Sequence, residues 1–218
     1  MALTWTIEEI EAEVRELAHM PGTSGFSQAA MWARINDFYQ NWFPYDVDVQ
    51  ELFSFWTQDT ATDDDGSYAL PATVLTIERP MTVKDSDDYV TKVGFYVNKS
   101  TFFELYPEDA HDEEDERSTP EAALLYSRTV YLRPKADEVF TFKAASKIKP
   151  DALTAGEAPL NLMWGPAIAQ GTSVLIKNRL SDVDAALEKD KVYQAMITKI
   201  NRRDLIQMTR GKRAMPRY

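Results

Sequence analysis

The sequence predicts an α+β protein: a helical bundle built from N- and C-terminal helices, a central antiparallel β-rich insertion, and an extended basic C-terminal arm. Three observations predict this class. Apolar residues recur at helical spacing near both ends, whereas the middle alternates side chains with a period of two and is rich in β-branched and aromatic residues. The third observation is charge, because the chain has a formal net charge of −11 while residues 202–218 contain six Lys/Arg and one Asp.

These patterns divide the chain into four segments. We expect N-terminal helices in residues 1–46, a β-rich insertion in residues 47–150, C-terminal helices in residues 151–209, and a docking arm in residues 210–218. The two helical segments are expected to pack together as one bundle, because each carries a single apolar face that needs a partner.

Two helices are predicted near the N-terminus. Thr6 and Glu9 have the spacing of a capping box, and the apolar face that follows continues until Pro21. A second helix is predicted from Ser27 to Trp42, and Pro44, two residues later, is expected to end it.

The middle of the chain is predicted to form a small, mostly antiparallel sheet or sandwich. Strands are expected at residues 52–56, 68–70, 74–77, 89–97, 127–132 and 139–145. Between the first two, Asp63-Asp64-Asp65-Gly66-Ser67 predicts a hairpin turn, because Gly adopts positive φ easily and Asp side chains bond their own backbone.

Helices return after residue 151. Gly165-Pro166 is typical of a helix start, Ser181 of a break, and a long helix carrying Tyr193 is expected to follow. Gly211 and Pro216 are expected to end helical structure in the basic segment.

Composition excludes several classes of protein. The 218 residues include no Cys, which excludes disulfides, thiolate zinc sites and a cysteine nucleophile. No signal peptide is expected, because nothing near Met1 resembles a charged n-region followed by an apolar h-region. No membrane span is expected, because no run of about 18 apolar residues occurs. A pI near 4.7 argues against nucleic-acid binding by the body of the protein.

No motif predicts catalysis, a cofactor or a metal site, and we expect the protein not to be an enzyme. His19 and His111 have no partner pattern, and no phosphate-binding glycine motif occurs. Residues 108–116 contain seven Asp/Glu but no Gly, which favours a solvated loop over a site for a divalent cation. The same interpretation applies to residues 63–65.

Aromatic residues are assigned mainly to the core. Phe38, Phe53, Phe55 and Trp56 lie on periodic faces, and Trp42, Trp164 and Tyr193 are expected in the core or at a subunit interface. The C-terminal segment has the composition of a docking peptide for an acidic protein groove or for DNA, with a frayed end as the alternative. Its candidate contact residues are Arg210, Lys212, Arg213, Met215, Arg217 and Tyr218.

Four segments, in their order and spacing, resemble the head-to-tail adaptor, or connector, proteins of tailed bacteriophages. They are residues 30–39 with Ile35-Asn36 before an aromatic end, residues 66–71 with a "Y-x-L-P" strand, residues 131–137, and residues 185–200 with Tyr193 before a basic end. Together they span nearly the whole chain.

The resemblance implies a virion structural protein made in the host cytoplasm and placed in the neck, between head and tail. Members of the family form a ring, typically of twelve copies, under the portal protein, and bind a downstream tail, nozzle or tube protein. DNA passes through the lumen without sequence-specific binding, and no membrane is involved. The C-terminal residues named above would contact the portal. The alternatives are another neck, tail-completion or tail-tube protein, and a virion-associated cell-wall hydrolase.

Overall fold

A computed structural model describes the chain apart from residues 1–3, 21, 23–24, 63–64, 108–116 and 213–218, and it describes only the backbone of residues 204–212. The chain divides into two compact units. Residues 1–52 and 149–218 form the first, called here the helical unit, and Phe53–Ile148 form the second, called the β unit. The predicted α+β class is confirmed.

The elements of the described residues follow in chain order. They are α1 (Ile7–Ala18), α2 (Gln28–Asn41), α3 (Phe43–Asp46), β1 (Phe53–Asp59), β2 (Ser67–Ala69), β3 (Val74–Lys84), β4 (Val90–Lys92), β5 (Gly94–Tyr96), α4 (Lys99–Leu105), β6 (Ala122–Tyr126), β7 (Thr129–Arg133), β8 (Thr141–Ile148), α5 (Gly165–Arg179) and α6 (Val183–Lys212). Short 3₁₀ turns lie at Gln50–Leu52 and Leu162–Trp164.

The first two helices begin and end close to their predicted positions. Before α1, the backbone N–H of Thr6 donates to Oε2 of Glu9 at 3.2 Å, as a capping box requires. Before α2, the hydroxyl of Ser27 accepts a hydrogen bond from the backbone N–H of Ala30 at 3.3 Å. Short-range side-chain hydrogen bonds therefore fix both helix starts.

Helix α5 lies at the centre of the helical unit and is buried along most of its surface. It packs against α1, α2 and α6. The approach of α2 is close, since a Cβ atom on Gly171 would lie 2.0 Å from the ring of Phe38. One hydrophobic core joins side chains of these four helices, so helices from both ends of the chain share it.

Polar side chains of α2 hold the segment that returns from the β unit. Asn36 donates from Nδ2 to the carbonyl oxygen of Leu153 at 3.0 Å and accepts from the N–H of Leu153 at 2.8 Å. Nε2 of Gln40 donates to the carbonyl oxygen of Pro150 at 3.0 Å. Ile35 is fully buried. Ile35 therefore packs in the core, and the adjacent Asn36 binds the backbone of the returning segment.

The described residues of the β unit form two four-stranded sheets, with strand orders β1-β8-β3-β4 and β2-β7-β6-β5. Paired strands are antiparallel, except that β5 and β6 are parallel. The predicted hairpin between the first two strands is wrong, because β1 pairs with β8 and β2 pairs with β7. The segment between β1 and β2 therefore connects two different sheets.

Two of the segments that carry the family resemblance contact each other in the β unit. The N–H of Leu132 donates to the carbonyl oxygen of Gly66 at 2.8 Å. Nη1 of the buried Arg133 donates to the carbonyl oxygens of Asp65 at 2.9 Å and Leu132 at 2.7 Å. Gly66 has φ +63°, and a Cβ atom there would lie 2.8 Å from Nη1 of Arg133. Glycine is therefore required at this turn.

The core of the β unit lies between the two sheets. The prediction that Phe55 belongs to this core is wrong. Trp56 and Phe142 are buried there, with ring centroids 5.8 Å apart. Phe55 is 57% exposed, because successive residues of a strand face opposite sides of the sheet. Nζ of Lys143 lies 4.4 Å from the centroid of the Phe55 ring. Phe55 therefore belongs to the outer face.

Candidate functional site

Helix α6 carries the beginning of the predicted portal-binding segment. The helix continues to Lys212, so the backbone at Arg210 is helical. The prediction of an extended arm is therefore wrong for residues 210–212. A single glycine costs a helix about 1 kcal/mol, and basic residues near a helix C-terminus offset part of that cost. The other predicted contact residues, Arg213, Met215, Arg217 and Tyr218, lie outside the described residues.

The beginning of α6 is acidic, and the part that follows it is basic. Residues 182–190 contain four Asp/Glu and one Lys, whereas residues 191–203 contain four Lys/Arg and no Asp or Glu. Ile200 is partly buried against the core of the helical unit. With a rise of 1.5 Å per residue, α6 continues for about 18 Å from Ile200 to Lys212. The basic end of α6 thus extends well past this core contact.

The three aromatic residues predicted in the core or at a subunit interface take different positions. Trp164 is 1% exposed, and its ring centroid lies 5.3 Å from that of Phe43. Tyr193 is 3% exposed. Trp42 is 52% exposed, which rules out a core position. For Trp42, a subunit interface stays a prediction.

Polar contacts fix α6 to the last residue of α3 and to the segment that follows it. The hydroxyl of Tyr193 donates to Oδ2 of Asp46 at 2.6 Å. Nδ2 of Asn201 donates to the carbonyl oxygen of Asp46 at 3.2 Å, and its Oδ1 accepts from the N–H of Asp48 at 2.9 Å. Burial raises the pKa of Tyr193 above its usual value, and the hydrogen bond to the Asp46 carboxylate raises it further.

The raised pKa of Tyr193 predicts a loss of stability in alkaline solution. Its contribution is fully present below about pH 10, the unfolded-state pKa, and is lost as the pH rises above that value. Between pH 8 and pH 11 the wild-type protein should lose about 1.4 kcal/mol more unfolding free energy than Tyr193→Phe. Urea unfolding at both pH values measures this difference. Equal losses in the two proteins would contradict a buried, protonated Tyr193.

An open groove of about 240 Å³ lies beside the start of α5. Nδ2 of Asn161 donates to Oε1 of Glu51 at 2.9 Å on its rim. Lys199 and Arg203, both exposed on α6, line it as well. The groove therefore combines an apolar lining with two cations. Its apolar lining consists of Val49, Met163, Trp164, Pro166, Ala167, Met196 and Ile200.

This groove is not predictable from the sequence, because its lining comes from three segments that are far apart along the chain. The sequence contains one indication of the groove. Leu160, Leu162 and Met163 are three apolar residues in the short stretch before the start of α5, and each is at least half exposed. A cluster of exposed apolar side chains beside a groove is typical of an interaction surface.

The residues considered for catalysis or metal binding have other positions. His19 is the left-handed C-cap of α1, with φ 57°. Oδ1 of Asp65 accepts hydrogen bonds from the N–H and the hydroxyl of Ser67, at 3.0 and 2.7 Å. In the part of the chain that the structure describes, no group of three or more His, Cys, Asp or Glu could hold a metal ion. His111, Asp63, Asp64 and the acidic run 108–116 lie outside that part.

Comparison with known proteins gives no family. No protein-family profile matches the chain, and no curated protein matches it at a significant level. Among the helices of the described residues, none is long and apolar enough to cross a membrane.

Proposed function

We propose that the protein is a head-to-tail adaptor of a tailed-bacteriophage virion, which forms a ring under the portal and provides an attachment site for a tail, nozzle or tube protein. The observation that carries the proposal is the arrangement of the helices. Helices from both ends of the chain share one core, and the β unit lies between them in sequence. The last helix continues to Lys212, beyond Ile200, the last residue with a described side chain that packs against this core. The family resemblance implies the same bundle and insertion.

The residues that carry the resemblance support a likeness of architecture. Asn36 holds the segment that returns from the β unit, and Arg133 holds the turn at Gly66. Tyr193 fixes α6 to Asp46. Each of these residues maintains the connection between segments that are distant in sequence. Such roles suit a structural protein.

The basic end of α6 is the proposed portal contact. Arg210, Lys212, Arg213 and Arg217 are cations on a protein with a net charge of −11, and Met215 and Tyr218 add apolar contact surface. Arginine pairs with carboxylates through two parallel hydrogen bonds, and tyrosine adds a large contact area with few rotatable bonds. In this proposal the segment binds an acidic surface of the portal.

The acidic body suits the proposed passage of DNA. A duplex carries one negative charge per about 1.7 Å, so it is repelled by acidic walls and does not adhere to them. DNA would pass through the ring without sequence-specific binding. The role is structural and needs neither a cofactor nor catalysis.

Co-sedimentation with the purified portal ring tests the proposal. We expect the full chain to bind saturably as one ring, and we expect loss of binding after deletion of residues 213–218 combined with Arg210→Ala and Lys212→Ala. The matched control is Lys92→Ala with Lys143→Ala, which removes two exposed lysines from the β unit. Circular dichroism would establish that each variant is folded. Imaging of the sedimented complex would count the subunits.

Each outcome distinguishes a different function. If the truncated variant binds as well as the full chain, the portal contact lies elsewhere. If the folded full chain fails to bind at low and moderate salt, the adaptor proposal is wrong. Tubes formed without the portal would favour a tail-tube protein, and turnover of peptidoglycan would favour a cell-wall hydrolase.

A further inference from the structure

Three apolar side chains are exposed around the turn between α5 and α6. Leu180, Val183 and Leu187 are 51%, 56% and 57% exposed. We call these three residues the ridge. Ser181 adopts the left-handed conformation, with φ 60°, where the chain turns from one helix into the next. Large apolar side chains grouped at one exposed position are typical of an interaction site.

The ridge and the groove lie on opposite flanks of α6. Ala186, Tyr193 and Ile197 are buried and mark the face of α6 that packs on the core. At about 100° per residue, Val183 and Leu187 lie about 60–100° to one side of that face. Met196 and Arg203, which line the groove, lie about 80–100° to the other side. One copy therefore presents both surfaces in different directions.

The two surfaces also have opposite charge. The ridge lies beside Asp184 and Asp190, which stand three residues before and three residues after Leu187 in the acidic residues 182–190. The groove is lined by two cations, Lys199 and Arg203 in the basic residues 191–203, and by one carboxylate, Glu51. The helix macrodipole favours this charge distribution in an isolated helix as well. It does not account for the apolar ridge, which needs an apolar partner.

We propose that the ridge of one copy occupies the groove of a second copy. Apolar side chains would fill an apolar groove, and Asp184 and Asp190 would face Lys199 and Arg203 of the neighbour. Since the two surfaces differ, the contact is heterologous, and repetition closes a ring when the rotation between copies permits it. This inference names the contact between neighbouring copies in the proposed ring. Closure of that ring rests on the proposed function.

Cysteine cross-linking tests the contact directly, because the chain contains no Cys. Two proteins are prepared, one with Leu187→Cys on the ridge and one with Met163→Cys in the groove. They are mixed and treated with a short bis-maleimide, both free at high concentration and in the presence of the portal ring. In the matched control, the Leu187→Cys protein is mixed with a Val97→Cys protein. Val97 lies in the β unit and is 88% exposed.

The expected result is about tenfold or more cross-linked heterodimer for the ridge and groove pair than for the control pair, because a specific contact raises the effective thiol concentration. Cross-linking no greater than the control, under both conditions, would overturn the proposal. Efficient cross-linking of Leu187→Cys with itself would also overturn it, since it would indicate a two-fold contact between ridges.

A charge exchange between the two copies provides a second test. In the Leu187→Cys copy, Asp184→Lys and Asp190→Lys should reduce cross-linking to the Met163→Cys copy, because like charges then meet. In the Met163→Cys copy, Lys199→Glu and Arg203→Glu should do the same. Both changes together, one set in each copy, should restore the yield. Failure of this rescue would contradict the assigned pairing.

These results separate the contact from the proposed function. Cross-linking between ridge and groove in a protein that does not bind the portal would keep the contact and reject the adaptor role. Ring formation on the portal without cross-linking above the control would keep the adaptor role and reject the contact.

Discussion

Replacing Trp164 with alanine is expected to lower the free energy of unfolding by about 3–5 kcal/mol. The side chain is 1% exposed and lies in the core of the helical unit, where its ring contacts that of Phe43. Truncation to alanine removes a large buried apolar surface and leaves a cavity that the close-packed α5 cannot fill. Urea unfolding followed by circular dichroism measures the change.

Trp42→Ala is the matched control for Trp164→Ala. Both residues were predicted in the core or at an interface, but Trp42 is 52% exposed. Because half of its surface already contacts water, Trp42→Ala should cost no more than about half as much as Trp164→Ala. Similar losses for the two variants would mean that Trp164 does not lie in the core.

The helix starts were predictable because their signals are short-range. Thr6 and Glu9 lie three residues apart, and Ser27 lies three residues before Ala30, so the sequence itself places donor beside acceptor. Gly165-Pro166 and Ser181 likewise mark the start of α5 and the break before α6.

The strand pairing was not predictable from the sequence, because it depends on long-range contacts. Phe53 in β1 pairs with Lys147 in β8, more than 90 residues later, although turn residues follow β1 directly. The predicted strand at residues 127–132 also began too early, since Ser127 and Arg128 have positive φ and form the turn between β6 and β7. Local turn chemistry gives the position of a turn but not the strands that pair.

The candidate site was predictable only in its charge. The basic end of the chain is visible in the sequence, but its continuation as helix past Gly211 is not, because a one-residue cost is small against the 30 residues of α6. The groove needs Val49, Asn161 and Met196 at one place, and only the packing of α5 and α6 brings them together. Exposure of the ridge is likewise a result of packing.

Replacing Arg15 with methionine is expected to lower the free energy of unfolding by about 3–5 kcal/mol. Nε of Arg15 donates to Oε1 of Glu11 at 2.8 Å, and both side chains are nearly buried. Its Nη2 donates to the carbonyl oxygen of Phe26 at 3.0 Å, and its Nη1 contacts the carbonyl oxygen of Gly22. Methionine keeps the apolar contacts but leaves a buried carboxylate and two carbonyl groups without this donor.

A double-mutant cycle with Glu11→Leu separates the ion pair from general loss of packing. Glu11 also accepts a hydrogen bond from Nε1 of Trp32 at 2.6 Å, so it joins α1 to α2. Each single variant leaves one buried charge, whereas the double variant removes both, so its loss should be smaller than the sum by about 1–3 kcal/mol. Chemical denaturation of the four proteins gives this coupling. Additive losses would show that Arg15 and Glu11 stabilise the helical unit independently of each other.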